Sequence, residues 1–114
     1  MRFARTQCYC IHLIQPGPRP PFYSVAEHLW GAGCNIDSDG NSQTPEDTQW
    51  TELTLTLRTT GERIDIDPIS AEPLILNVRS ESLRAVLQVA NFIIEHSGGE
   101  MSLAGCGGSE PQQA

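Results

Sequence analysis

Three runs of strict alternation followed by one helical stripe, all between Trp50 and His96, constrain this chain more than any other feature. Leu53, Leu55 and Leu57 alternate with Thr54, Thr56 and Arg58. Ile64 and Ile66 alternate with Asp65 and Asp67, and Leu74, Leu76 and Val78 with Ile75, Asn77 and Arg79. A period of two places one set of side chains on a buried face and the other on an opposite face, which is the pattern of a β-strand. From Ser80 the period changes. Leu83, Val86, Leu87, Ala90, Ile93 and Ile94 fall on a helical stripe, and Arg84, Gln88, Asn91 and Glu95 fall on a polar one. The expectation is an α+β domain: a small antiparallel sheet of about four strands with the C-terminal helix packed on one face.

The flanking sequence adds weaker elements. Residues 1–15 are expected to hold one strand, with Cys8, Cys10, His12 and Ile14 on one face and Tyr9, Ile11 and Leu13 on the other. Four prolines between Pro16 and Pro21 break regular structure and read as a connector. Phe22 to Trp30 reads as a helix, with Ser24 and Glu27 at capping-box spacing. Asn35 to Gln49 is polar and reads as one long surface loop. Thr59-Thr60-Gly61-Glu62 predicts a hairpin turn with Gly61 at positive φ, and Ser70-Ala71-Glu72-Pro73 a second connection. Ser80 is the expected N-cap of the last helix, with Glu81 in its first turn. From Glu100 onward the residues are mainly Gly, Ser, Gln and Pro. The domain is therefore expected to span 1–99, with 100–114 a disordered tail.

Charge narrows the function classes. The 114-residue chain carries 14 acidic and seven basic residues, for a net charge of −7, and has no lysine. Its arginines are scattered, so the basic patch that supplies most nucleic-acid affinity is missing, and no nucleic-acid partner is expected. No apolar run reaches the roughly 18 residues of a membrane span. The apolar stretch after Arg2 and Arg5 is short and broken by His12, which fails as a signal sequence. The reading is cytoplasmic, and the four cysteines, Cys8, Cys10, Cys34 and Cys106, are expected as thiols. A core this small is marginal, so a bound partner or a homodimer would add stability.

Cys8, Cys10 and His12, completed by Cys34 or His28, suggest zinc, but structural sites use C-x2–4-C pairs and this chain has C-x-C. Asp37-Ser38-Asp39-Gly40-Asn41 resembles the start of an EF-hand, yet Gly falls at the fourth position and Thr48 stands where Glu is required. His28 and Cys34 are six residues apart with no third group fixed by spacing. No metal, cofactor or enzymatic activity is expected. An acidic rim of Glu52, Glu62, Asp65, Asp67 and Glu72 around an aromatic anchor, Trp50, instead reads as a surface for a basic protein partner.

The segment from Trp-Thr-Glu-Leu-Thr-Leu-Thr-Leu through Leu-Ile-Leu-Asn-Val-Arg-Ser to the helix resembles bacterial immunity proteins of polymorphic toxin systems. It shares with them a small α+β layout, an acidic balance and the lack of a catalytic set. That resemblance implies a cytosolic inhibitor that binds and neutralises a cognate toxin or effector. A second likeness is to small scaffold subunits of enzyme complexes, such as the tRNA threonylcarbamoyladenosine assembly. Those have a β-α-β-β-α order, from which this chain departs, since no clear helix separates its patterned strands. A metal or thiol site on Cys8, Cys10 and Cys34 is the third alternative.

Overall fold

A computed structural model describes residues 8–104. The elements run β1 (Tyr9–Ile14), α1 (Phe22–Trp30), β2 (Ile36–Gly40), β3 (Leu53–Leu57), β4 (Arg63–Ala71), β5 (Leu74–Ser80), α2 (Leu83–Ser97) and β6 (Glu100–Ala104). All six strands form one antiparallel sheet in the order β2-β3-β4-β5-β1-β6. The α+β class is as expected, and the sheet has six strands rather than about four. The two additional strands come from segments with little apolar alternation. β2 lies within the Asn35–Gln49 segment read as a loop, and pairs Ile36 through Gly40 with Leu57 through Leu53. β6 uses the first residues of the segment read as a tail, and pairs Glu100 through Ala104 with Ile14 through Cys10. Both are edge strands, where one neighbour supplies the hydrogen bonds and side-chain pattern counts for less.

Both helices pack on the same face of the sheet. Ile11, Leu13, Leu53, Leu55, Ile64, Ile66, Leu76 and Val78 come up from the strands. They meet Val25 and Ala26 of α1 and Ala85, Val86, Val89, Ala90 and Ile93 of α2. The buried stripe of α2 is rotated from the expected one. Leu83 and Leu87 are 45% and 38% exposed, while Ala85 and Val89 are buried. The cap explains part of this shift. Ser82, not Ser80, is the N-cap, and its hydroxyl accepts from the Ala85 amide at 3.2 Å. Ser80 ends β5, where its hydroxyl donates to the Arg63 carbonyl at 2.7 Å. Helix α1 likewise lacks the expected capping box: Pro21 stands at its N-cap with no side-chain bond. Its pre-set φ of −56° offsets part of the lost cap.

The proline-rich connector is pinned at both ends. The Gly17 amide donates to the Ser97 carbonyl, and the Ser97 hydroxyl donates to the Pro18 carbonyl. Arg19 is buried and donates from Nε to the Trp50 carbonyl and from its terminal nitrogen to the Gly17 carbonyl, at 2.8 and 2.9 Å. The Trp50 indole donates to the Pro20 carbonyl at 2.8 Å. Burial lowers the Arg19 pKa from its ordinary value, and Asp47 opposes that shift. Gly61 turns the β3–β4 hairpin at φ 81°, as expected. The return from α2 into β6 also needs a glycine. Gly99 has φ 95°, and a Cβ there would sit 2.7 Å from the Ile14 carbonyl oxygen.

Candidate functional site on the open sheet face

The sheet face opposite the helices is built from the other half of each alternation. Registry sets its rows. Asp39, Thr54, Asp65, Arg79 and Cys10 lie side by side across β2, β3, β4, β5 and β1, and Asp67, Asn77 and His12 form the next row. Among the described residues no helix covers this layer, and polar and charged side chains occupy it.

Its arginines are spent on its aspartates. Arg63 donates from Nε to Asp65 at 3.0 Å, and Asp65 also accepts from the Thr54 hydroxyl at 2.7 Å. Arg79 donates from two nitrogens to one Asp67 oxygen at 3.1 and 2.9 Å. Arg58 lies 3.7 Å from Asp37. Hydrogen bonding to Asp65 raises the Arg63 pKa, and bonding to Asp67 raises that of Arg79. Between these pairs, the Asn77 side-chain oxygen is buried with no hydrogen-bond partner. A groove of about 590 Å³ opens where the β3–β4 hairpin meets the β5–α2 junction, lined among others by Cys8, Glu62, Arg63, Asp65, Arg79 and Glu81.

The structure brings together part of the expected partner surface. Glu62 and Asp65 line the groove. Glu52, just before β3, is level with Asp67, because Leu53 pairs with Ile66. Glu72 lies apart, at the β4–β5 turn. Asp65 is 8% exposed beneath its arginine and threonine. Trp50 is not a surface anchor. At 1% exposure its ring fills the core and its indole nitrogen donates to the Pro20 carbonyl, so Trp50 is not an aromatic centre for the rim. Arg63 and Arg79 are the residues that sequence reasoning passed over. Their positions in the alternation assign them to this face, but only strand registry shows which aspartate each one meets.

The cysteines also differ from expectation. Cys10 is disulfide-bonded, to a partner outside the described residues, whereas Cys34 carries a thiol. β6 places Ala104 directly opposite Cys10. A thiol or metal site on Cys8, Cys10 and Cys34 does not assemble. The Cys10 sulfur is already bonded. Cys34 adjoins β2, which is separated from β1 by three strands, on the order of 19 Å at the usual strand spacing. His28 is in the helical layer, stacked on Phe92 with centroids 4.3 Å apart. Among the described residues, no group of three metal-ligating side chains converges, and no helix is long and apolar enough to cross a membrane. No family model, curated protein or solved structure matches this chain.

Proposed function

We propose that this is a non-enzymatic protein-binding domain whose open sheet face receives a basic partner, and that its role is that of an immunity protein neutralising a toxin or effector in the cytoplasm. The observation that carries this reading is the charge balance of that face. Arg58, Arg63 and Arg79 are each paired with an aspartate, and Arg19 is buried in the connector. Among the described residues, no arginine pairs with exposed Asp39, Glu52 or Glu62. A face with unpaired negative charge steers a positive partner into encounter.

The test is capture of partners from the source cell with the full chain. Recovery of a toxin or effector domain supports the reading. Recovery of a housekeeping complex in equal stoichiometry supports the scaffold alternative instead. With a partner in hand, Glu52→Lys together with Glu62→Lys should slow association about tenfold at low salt and much less at high salt, since exposed charges are screened beyond about 8 Å at physiological ionic strength. Unchanged association at low salt would remove the acidic face from the interface.

A further inference from the structure

The two edges of the sheet are built differently. β2 is blunted: it carries Asp37 and Asp39 and ends at Gly40, a combination that discourages another strand from adding to it. β6, Glu-Met-Ser-Leu-Ala, has one charge, no proline and no bulge. Among the described residues its outer edge pairs with nothing.

Apolar surface lies beside that edge. Leu103 pairs with Ile11 and Met101 with Leu13, so both are on the helix side of the sheet, yet they are 82% and 43% exposed. Helix α2 turns its Phe92 flank to α1. At 100° per residue, Leu83 and Leu87 project from the opposite flank, toward β6. These four side chains leave on the order of 400 Å² of apolar surface in water, within the range of the largest patches on monomeric proteins.

We infer that this edge is the interface with a second copy of the same chain, with β6 pairing antiparallel to its twofold mate to give a continuous twelve-stranded sheet. The sequence of β6 is self-complementary about Ser102. In that register Met101 faces Leu103 of the mate, Ser102 faces Ser102, and Glu100 faces Ala104. The leucines and methionines of both copies then merge with Leu83 and Leu87 of each on one face, and no glutamate opposes a glutamate. Charge selects the same edge. Two chains at −7 repel across their acidic open faces but approach freely at a nearly neutral strand. Two patches bring about 800 Å² of apolar surface, and two strand backbones bring the total to the roughly 1,000 Å² that a specific interface needs. This assembly leaves the open face free, so it holds or fails independently of the partner proposed above.

Sedimentation equilibrium of the full chain should show a dimer at tens of micromolar, and Leu103→Lys should shift it to monomer with unchanged circular dichroism. The register is tested by Ser102→Cys. Twofold-related Cα atoms in a directly opposed antiparallel pair are about 4.5–5.5 Å apart, within reach of a disulfide. The variant should therefore form a covalent dimer under mild oxidation, whereas Glu100→Cys should not. A monomeric wild type, including one in which slow amide exchange shows β6 covered by the chain's own ends, would overturn the inference. So would a dimer that persists unchanged in Leu103→Lys without cross-linking in Ser102→Cys.

Discussion

The two tryptophans permit a matched test of what buried indoles contribute here. Trp50 is fully buried and donates to the Pro20 carbonyl at 2.8 Å. The nitrogen of Trp30 is buried with no partner. The same change, tryptophan to phenylalanine, therefore does opposite things. In Trp50→Phe, the Pro20 carbonyl loses its donor in an interior site, a cost of about 1–3 kcal/mol, and the smaller ring leaves a void worth about 1 kcal/mol more. The total is about 2–4 kcal/mol. In Trp30→Phe, the lost contacts are offset by removal of an unsatisfied donor, so the net cost is about 0–1 kcal/mol. A difference near 2 kcal/mol corresponds to about 8 °C or more in Tm for a domain of this size. Urea unfolding followed by far-ultraviolet circular dichroism suits the comparison, because each variant loses a fluorophore. Equal costs would refute the reasoning, either by showing that the Pro20 bond is replaced by water or that the Trp30 nitrogen is satisfied in solution. Trp50→Ala should go further and unfold much of the population, at about 3–5 kcal/mol.

Four other outcomes follow from the packing, the turns and the charges. Ile93→Ala, in the core stripe of α2, should cost about 2–5 kcal/mol, and Leu87→Ala, 38% exposed, under about 1.5 kcal/mol; equal midpoints in denaturant would mean that the helix is faced wrongly. Gly99→Ala should cost about 1–3 kcal/mol through its positive φ and its approach to Ile14, and faster amide exchange confined to β6 would report it. The Asp47 carboxyl accepts from the Gln43 and Gln49 amides, which hold it below its ordinary pKa of 3.8. A depressed folded pKa gives stability that is present above 3.8 and lost as pH falls through the lower folded value, so Asp47→Asn should flatten the acid limb of a stability profile and leave its slope near neutrality unchanged. Thiol trapping in the source cell decides the compartment: recovery of the Cys10 disulfide would place the protein in an oxidising compartment and count against the cytoplasmic proposal, and a reduced Cys10 would support it.

The central strands were legible because both physical signals agreed there. In β3, β4 and β5, alternation marks the buried face, and the neighbouring turns supply the breaks. α2 was legible as a helix, but its rotation was not. Leu83 and Leu87 are as apolar as anything in the core, and hydrophobicity alone assigns them inward. Only the position of the Ser82 cap and the packing of Phe92 against His28 fix the actual facing. The edge strands escaped detection for a related reason. β2, with Asp and Ser, and β6, with Glu and Ser, are held by backbone pairing to β3 and β1, and backbone pairing leaves little trace in side-chain type.

The acidic residues of the candidate face were legible as residues but not as a surface. Composition puts 14 acids against seven arginines, yet the count alone says nothing about which charges remain for a partner. Registry answers that. It sets Asp65 under Arg63 and Thr54 and ties Asp67 to Arg79. These two aspartates hold the face in order, and the exposed Glu52 and Glu62 at its margins meet whatever approaches. A partner reading Asp65 directly would first have to displace Arg63 and leave that guanidinium unpaired; one reading the glutamates displaces only water. The distinction predicts that Asp65→Asn acts mainly on stability and Glu62→Gln mainly on association. A Glu62→Gln variant with lower Tm and unchanged association rate would reverse those roles.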